Sequence, residues 1–121
     1  MIGLIQRVAS AKVEIRQQCV AEIDAGIVAL IAVQADDDAH NVQRLLRRII
    51  SYRIFPDQSG KMNLSVKDIA GGVILVPQFT LIADTSTGNR PSFGDNVSAE
   101  FGQKMFLKLL EFAHNEYAHV Q

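Results

Sequence analysis

Gly26-Ile27-Val28-Ala29-Leu30-Ile31-Ala32-Val33 is followed by Asp36-Asp37-Asp38 and then by apolar residues at Val42, Leu45, Leu46, Ile49 and Ile50. The way these stretches succeed one another decides the fold. The first is a short unbroken apolar run entered through the turn residues Asp24-Ala25-Gly26, which predicts a central strand buried on both faces. The last has i, i+3, i+4, i+7, i+8 spacing, the single core-facing stripe of an amphipathic helix. Between them, the acidic triplet offers an N-cap and sets negative charge at the positive end of the helix dipole. The same triplet resembles a metal site in composition, but capping accounts for it without a metal. Pro56 disfavours helical geometry at Phe55, so the helix is expected to end near Tyr52.

Upstream, Ile2, Leu4 and Val8 alternate with Gly3, Ile5 and Arg7, the period of a strand with two distinct faces. Val13 and Ile15 alternate with Lys12, Glu14 and Arg16, and Val20 to Ile23 gives a further short strand. Downstream, Ser59-Gly60-Lys61 is turn chemistry, Asn63 to Val66 is a short strand candidate, and Gly71-Gly72 marks another turn. Val73 to Leu81 is a second apolar run. Pro77 within it cannot donate to a sheet ladder, and marks an edge, a bulge or the strand's end. Asp84 to Asn96 reads as a long polar loop. Ser98 is the expected N-cap of a second amphipathic helix through Phe101, Met105, Phe106, Leu109, Leu110, Phe112 and Ala113, running to about Tyr117. The order predicts an α/β fold: a single domain over residues 1–121, with a mixed β-sheet and two main amphipathic helices packed on one face.

With 121 residues the chain suits one hydrophobic core. The longest apolar run has the length of a buried strand and not of a membrane span. The N-terminus lacks the basic and apolar regions of a secretory signal. Cys19 is the only cysteine, which rules out an internal disulfide or a thiolate zinc cluster and suits a reducing, cytoplasmic setting. The net charge of −1 means that any RNA contact must be local. Arg44, Arg47, Arg48 and Arg53, with Lys61 and Lys67, are the local cations. The first three read best as the solvated face of a helix.

Most chemical motifs are missing. His114 and His119, five apart on a helix, project about 140° apart and cannot share an ion. Neither a Gly-x-Gly-x-x-Gly nor a P-loop occurs, and no Gly-x-Ser-x-Gly elbow carries a serine nucleophile. No metal and no cofactor is expected. Thr80 by itself reads more readily as a β-branched strand residue than as a catalyst. Its setting raises its interest: Gln78 and Thr80 alternate with Phe79 and Leu81 at a strand end, where loops carry function. Main-chain N–H groups there can face a developing oxyanion, and Phe79 offers an apolar surface to a base or sugar.

Several consecutive runs carry a resemblance. They are Met1-Ile2-x-Leu4-Ile5-Gln6-Arg7-Val8, Tyr52-Arg53-Ile54-Phe55, Gly60-Lys61-Met62-Asn63-Leu64, Gln78-Phe79-Thr80-Leu81-x-Ala83-Asp84-Thr85 and Arg90-Pro91-Ser92-Phe93. Together, in this order along the whole chain, they resemble the D-aminoacyl-tRNA deacylases. The resemblance implies a cytoplasmic homodimer that hydrolyses the ester between tRNA and a D-amino acid, or glycine mischarged on tRNA-Ala, releasing free amino acid and tRNA. The aminoacyl-tRNA 3′-terminal adenosine is the implied partner, with no membrane and no DNA. By position, Gln78, Phe79 and Thr80 match the catalytic and substrate-binding segment, whose main-chain N–H groups hold the carbonyl oxygen. Pro77 lies at the lip of that pocket. Arg7 matches an arginine that braces the partner subunit's substrate-selecting loop. Thr80 matches a threonine proposed as nucleophile, and a rival account activates water through the 2′-OH of the substrate's own ribose. No histidine, lysine or carboxylate lies within three residues of Thr80 in sequence to serve as its base, which favours the second account.

Two departures from the family pattern stand out. The family has serine where this chain has Pro77. It also carries, in a segment beyond the equivalent of Gln121, a Gly-Pro dipeptide that excludes L-amino acids. The prolines here follow Phe55, Val76 and Arg90, so no Gly-Pro occurs. The expectation that follows is an exposed sheet edge, and as an alternative function a non-catalytic or impaired tRNA 3′-end-binding relative without the chirality filter.

Overall fold

In the computed structural model, which describes residues 1–78 and 98–121, the N-terminal alternation becomes strand β1 (Ile2–Val8). The hairpin of β2 (Ala11–Ile15) and β3 (Gln18–Ile23) follows, with Arg16 and Gln17 at positive φ in its turn. The apolar run forms β4 (Gly26–Ala32), antiparallel to β1 from Ile2↔Ala32 to Val8↔Gly26. Helix α1 (Ala39–Ser51) covers it. A small ribbon of β5 (Phe55–Pro56) and β6 (Met62–Leu64) leads to β7 (Gly72–Pro77), which pairs with β4 in parallel. Helix α2 (Ala99–Glu116) completes the order. The main sheet runs β1-β4-β7, a mixed sheet as the sequence predicts.

Both helices pack on the same face. Ile27, Ala29 and Ile31 of β4 and Val73 and Leu75 of β7 meet Val42, Leu46, Ile49 and Ile50 of α1 and Met105, Leu109 and Ala113 of α2. Each helix is capped as its sequence foretells. Asp38 accepts from the Asn41 amide and Asn41 returns the bond in a reciprocal capping box, while Ser98 accepts from the Phe101 amide. Tyr117 seals the far end of the core. Its buried hydroxyl donates to the Gly71 carbonyl, with the Val66 carbonyl 3.2 Å away, and burial pushes its pKa up.

Four expectations need correction. The β4 strand is central, but Val28 and Leu30 are only half-buried, because the helices cover one face of the sheet and leave the other open. The short strand expected over Asn63 to Val66 stops at Leu64. Ser65 and Asp68 instead close a turn, with the Ser65 amide donating to the Asp68 carboxylate and the Asp68 amide to the Ser65 hydroxyl. Of the acidic triplet, only Asp38 caps α1. Asp37 turns inward and pairs with the Met1 ammonium, which also donates to Gln34 at 2.9 Å. Finally, the outer edge of β7 is not bare along its first half. The Val73 and Leu75 amides donate to the carbonyls of His119 and Gln121, and the Gln121 amide donates back to Val73. The expected strand residues beyond Gln78 and the loop over Asp84 to Asn96 lie outside the described residues.

Candidate functional site

Strands β4 and β7 are parallel, so their carboxyl ends fall together at one rim of the sheet, the place where open α/β sheets bind ligands. Pro77 is the last residue of β7 and is exposed. Its tolerance follows from the ladder. The amides of Val73 and Leu75 point to the outer edge, whereas the Gln78 amide donates inward to the Ile31 carbonyl at 2.8 Å. By the same two-residue period, the N–H that Pro77 lacks would have pointed to the outer edge and not to β4. The strand therefore loses no bond to its inner neighbour.

Gln78 continues the alternation on the open side of the sheet, in the row of Ala32 and Ile2. That side is apolar: Ile2 and Leu4 are 42% and 55% exposed, beside half-buried Val28, Leu30 and Val76. The signal was present in the sequence, where Ile2 to Ile5 is apolar at every position although helices can cover only one face. Phe79 and Thr80 lie outside the described residues.

Arg7 occupies the opposite end. Paired with Ile27, it stands five residues along β1 from Ile2, about 17 Å at a strand's rise, and two strands across from Gln78. It also projects to the helix-covered side. Its guanidinium donates to the Ile54 carbonyl at 2.9 Å and to the Met62 sulfur at 3.3 Å, tying β1 to the β5–β6 ribbon. Asp57 organises that ribbon's turn by accepting from the Ser59 and Lys61 amides and the Asn63 side chain. These bonds, the Asn63 one foremost, hold its carboxyl below the usual range. Within one chain the structure thus separates Arg7 from Gln78.

The ion pair of Met1 and Asp37 sits at the Gln78 end of the sheet, with both side chains almost wholly buried. Among the described residues no three His, Cys, Asp or Glu side chains gather, and no helix is long and apolar enough to cross a membrane.

Comparison with known proteins places these features in context. Residues 4–121 match the family model described as D-Tyr-tRNA(Tyr) deacylase. A D-aminoacyl-tRNA deacylase of Alkalilimnicola ehrlichii is 54% identical over 113 residues, covering 93% of this chain and 75% of the relative. Among solved structures, a c-Myc DNA unwinding element binding protein superposes with a TM-score of 0.89 at 28% identity, over 98% of this chain and 81% of that one. A probable eukaryotic D-amino acid tRNA deacylase superposes with a TM-score of 0.76 at 15% identity, over 93% and 66%, a likeness of fold alone.

Proposed function

The chain belongs to the D-Tyr-tRNA(Tyr) deacylase family, and from that premise we propose that its chemistry is performed at the rim of β7 by the segment Gln78, Phe79 and Thr80, the Gln78 amide anchoring the segment to the Ile31 carbonyl and the main-chain N–H groups of Phe79 and Thr80 serving as the donors. The activity is hydrolysis of D-aminoacyl-tRNA to free amino acid and tRNA. One observation supports this reading: among the described residues, the Gln78 amide makes the inward bond nearest the carboxyl ends of the two parallel strands, so the segment enters the rim anchored to the Ile31 carbonyl. Main-chain donors set in place before substrate arrives suit the oxyanion of an ester carbonyl. Water adds to that carbonyl carbon, and the oxyanion is held by the main-chain N–H groups. The bond to the ribose oxygen then breaks, and that oxygen leaves with a proton. The substrate's neighbouring 2′-OH activates the water. Glycyl esters enter the same site, because glycine carries no side chain on either hand.

The Thr80 hydroxyl is then dispensable. Thr80→Ala is expected to retain kcat for D-aminoacyl-tRNA within about tenfold, since the main chain is unchanged, whereas loss of a true nucleophile costs on the order of 10⁴-fold or more. Single-turnover deacylation separates these outcomes, and a collapse of the second size would reinstate Thr80 as nucleophile.

The working unit is a cytoplasmic homodimer joined through the apolar open face of the sheet. Exposed Leu4 at the middle of that face is the test position. Leu4→Glu is expected to give a folded monomer by sedimentation equilibrium, with deacylation lost in parallel, because a charge on each side of an apolar interface opposes its own symmetry mate. A dimer persisting in this variant would place the interface elsewhere.

A further inference from the structure

Helix α1 carries His40, Arg44, Arg47, Arg48 and Ser51 at i, i+4, i+7, i+8 and i+11, all exposed, along the side opposite its buried stripe. With Gln43 they line a shallow depression of about 320 Å³. The helix contains three arginines and no carboxylate, in a chain whose net charge is −1. Ordinary solvated helices mix their charges, as α2 does with Glu100, Glu111 and Glu116 among Lys104 and Lys108. Arg44 and Arg48 are instead like charges one turn apart, an arrangement that weakens a helix. Among the described residues neither has an ion-pair partner. Arg47 is held in place, its guanidinium 5.6 Å from the Phe112 ring centre and 3.8 Å from the Glu116 carboxylate. All three cations are arginine, whose planar fork binds phosphate through two bonds at once.

Resting on the reading of this chain as a D-aminoacyl-tRNA hydrolase, we propose that the arginine stripe of α1 docks the sugar-phosphate backbone of the substrate tRNA. The helix begins just beyond the carboxyl end of β4, at the rim that carries Gln78, and runs about 20 Å away from it. A tRNA whose terminal adenosine enters the rim can therefore lay its adjoining phosphates along Arg44, Arg47 and Arg48. Because the protein as a whole is slightly acidic, this local stripe supplies the attraction that net charge does not. Of the large exposed apolar side chains among the described residues, only Tyr52 at the C-cap of α1 adjoins the stripe, which is too little apolar surface to insert into a lipid bilayer.

The test is the double variant Arg44→Gln/Arg48→Gln in the full chain, beside Lys104→Gln/Lys108→Gln on α2 as control. Binding of uncharged tRNA is measured by fluorescence anisotropy across a salt series, and deacylation with D-aminoacyl-tRNA and with D-aminoacyl-adenosine. The arginine variant is expected to bind tRNA about tenfold more weakly, and its slope of log affinity against log salt should be shallower by about 1.5. KM for the whole tRNA rises by a similar factor with kcat near wild type, and the preference for whole tRNA over the adenosine ester shrinks accordingly. The lysine variant keeps the wild-type slope. An unchanged slope and affinity in the arginine variant, or loss of binding to anionic vesicles with tRNA binding intact, overturns the proposal. Failure of the wild type to hydrolyse D-aminoacyl-tRNA overturns instead the functional reading, while the binding series still judges the stripe.

Discussion

Replacement of Asp37 by alanine lowers the free energy of unfolding by about 3–5 kcal/mol, the range found when one partner of a buried ion pair is removed. The Met1 side chain is buried, its ammonium is part-buried, and the Asp37 side chain is only 2% exposed. One carboxylate oxygen takes the ammonium, and the other accepts the Gln34 amide at 2.7 Å. Alanine leaves the ammonium with Gln34 alone and leaves the Gln34 amide without its acceptor, and each loss carries a desolvation cost. The damage falls on the segment joining β4 to α1, at the rim that bears Gln78. Urea unfolding monitored by circular dichroism reads the change, and Asp36→Ala supplies the comparison. Asp36 is exposed, so its replacement is expected to shift stability by less than about 0.5 kcal/mol. Equal effects at the two positions would remove the ion pair from the account.

Gly26→Ala is expected to cost about 3 kcal/mol or more, at or above the upper end of ordinary overpacking. Gly26 and Gly72 open the parallel pairing of β4 and β7. A Cβ on Gly26 would stand 1.9 Å from the Gly72 carbonyl oxygen and 2.8 Å from its carbonyl carbon. These are backbone atoms, so no rotamer change relieves the contact. The strands must part, and with them the bond from the Gly72 amide to the Ala25 carbonyl at 3.1 Å. Gly60→Ala makes the contrast. Nothing lies within 4 Å of its would-be Cβ, and only its φ of +81° opposes the change, for about 1 kcal/mol. Denaturation midpoints that rank the two glycines in the reverse order would mean that strand separation is cheap here.

Both expected effects rest on contacts between residues distant in sequence, which bears on what could be read beforehand. The α1 stripe, the Asp38 and Ser98 caps, the alternation of β1 and the turn at Gly60 were legible because they are short-range. Periodicity and capping depend on neighbours within a turn or two. The rim motif was legible for a different reason, as a run of residues resembling a family. Pro77 was expected to mark an edge, a bulge or the strand's end, and among the described residues β7 has it as its last residue.

The sequence by itself thus determined the α/β class, the two helices with their buried faces, and family membership through Gln78-Phe79-Thr80-Leu81 and its companion runs. The tertiary structure alone decided three further matters. Asp37 pairs with Met1 and does not share in capping α1. Pro77 is harmless to β4 because its missing N–H faces outward. Arg7 and Gln78 lie at opposite ends and on opposite sides of one sheet. The reason is common to all three. A strand's own pattern tells which residues alternate, but only its pairing with remote strands sets which face is covered, which edge is open and which ends meet.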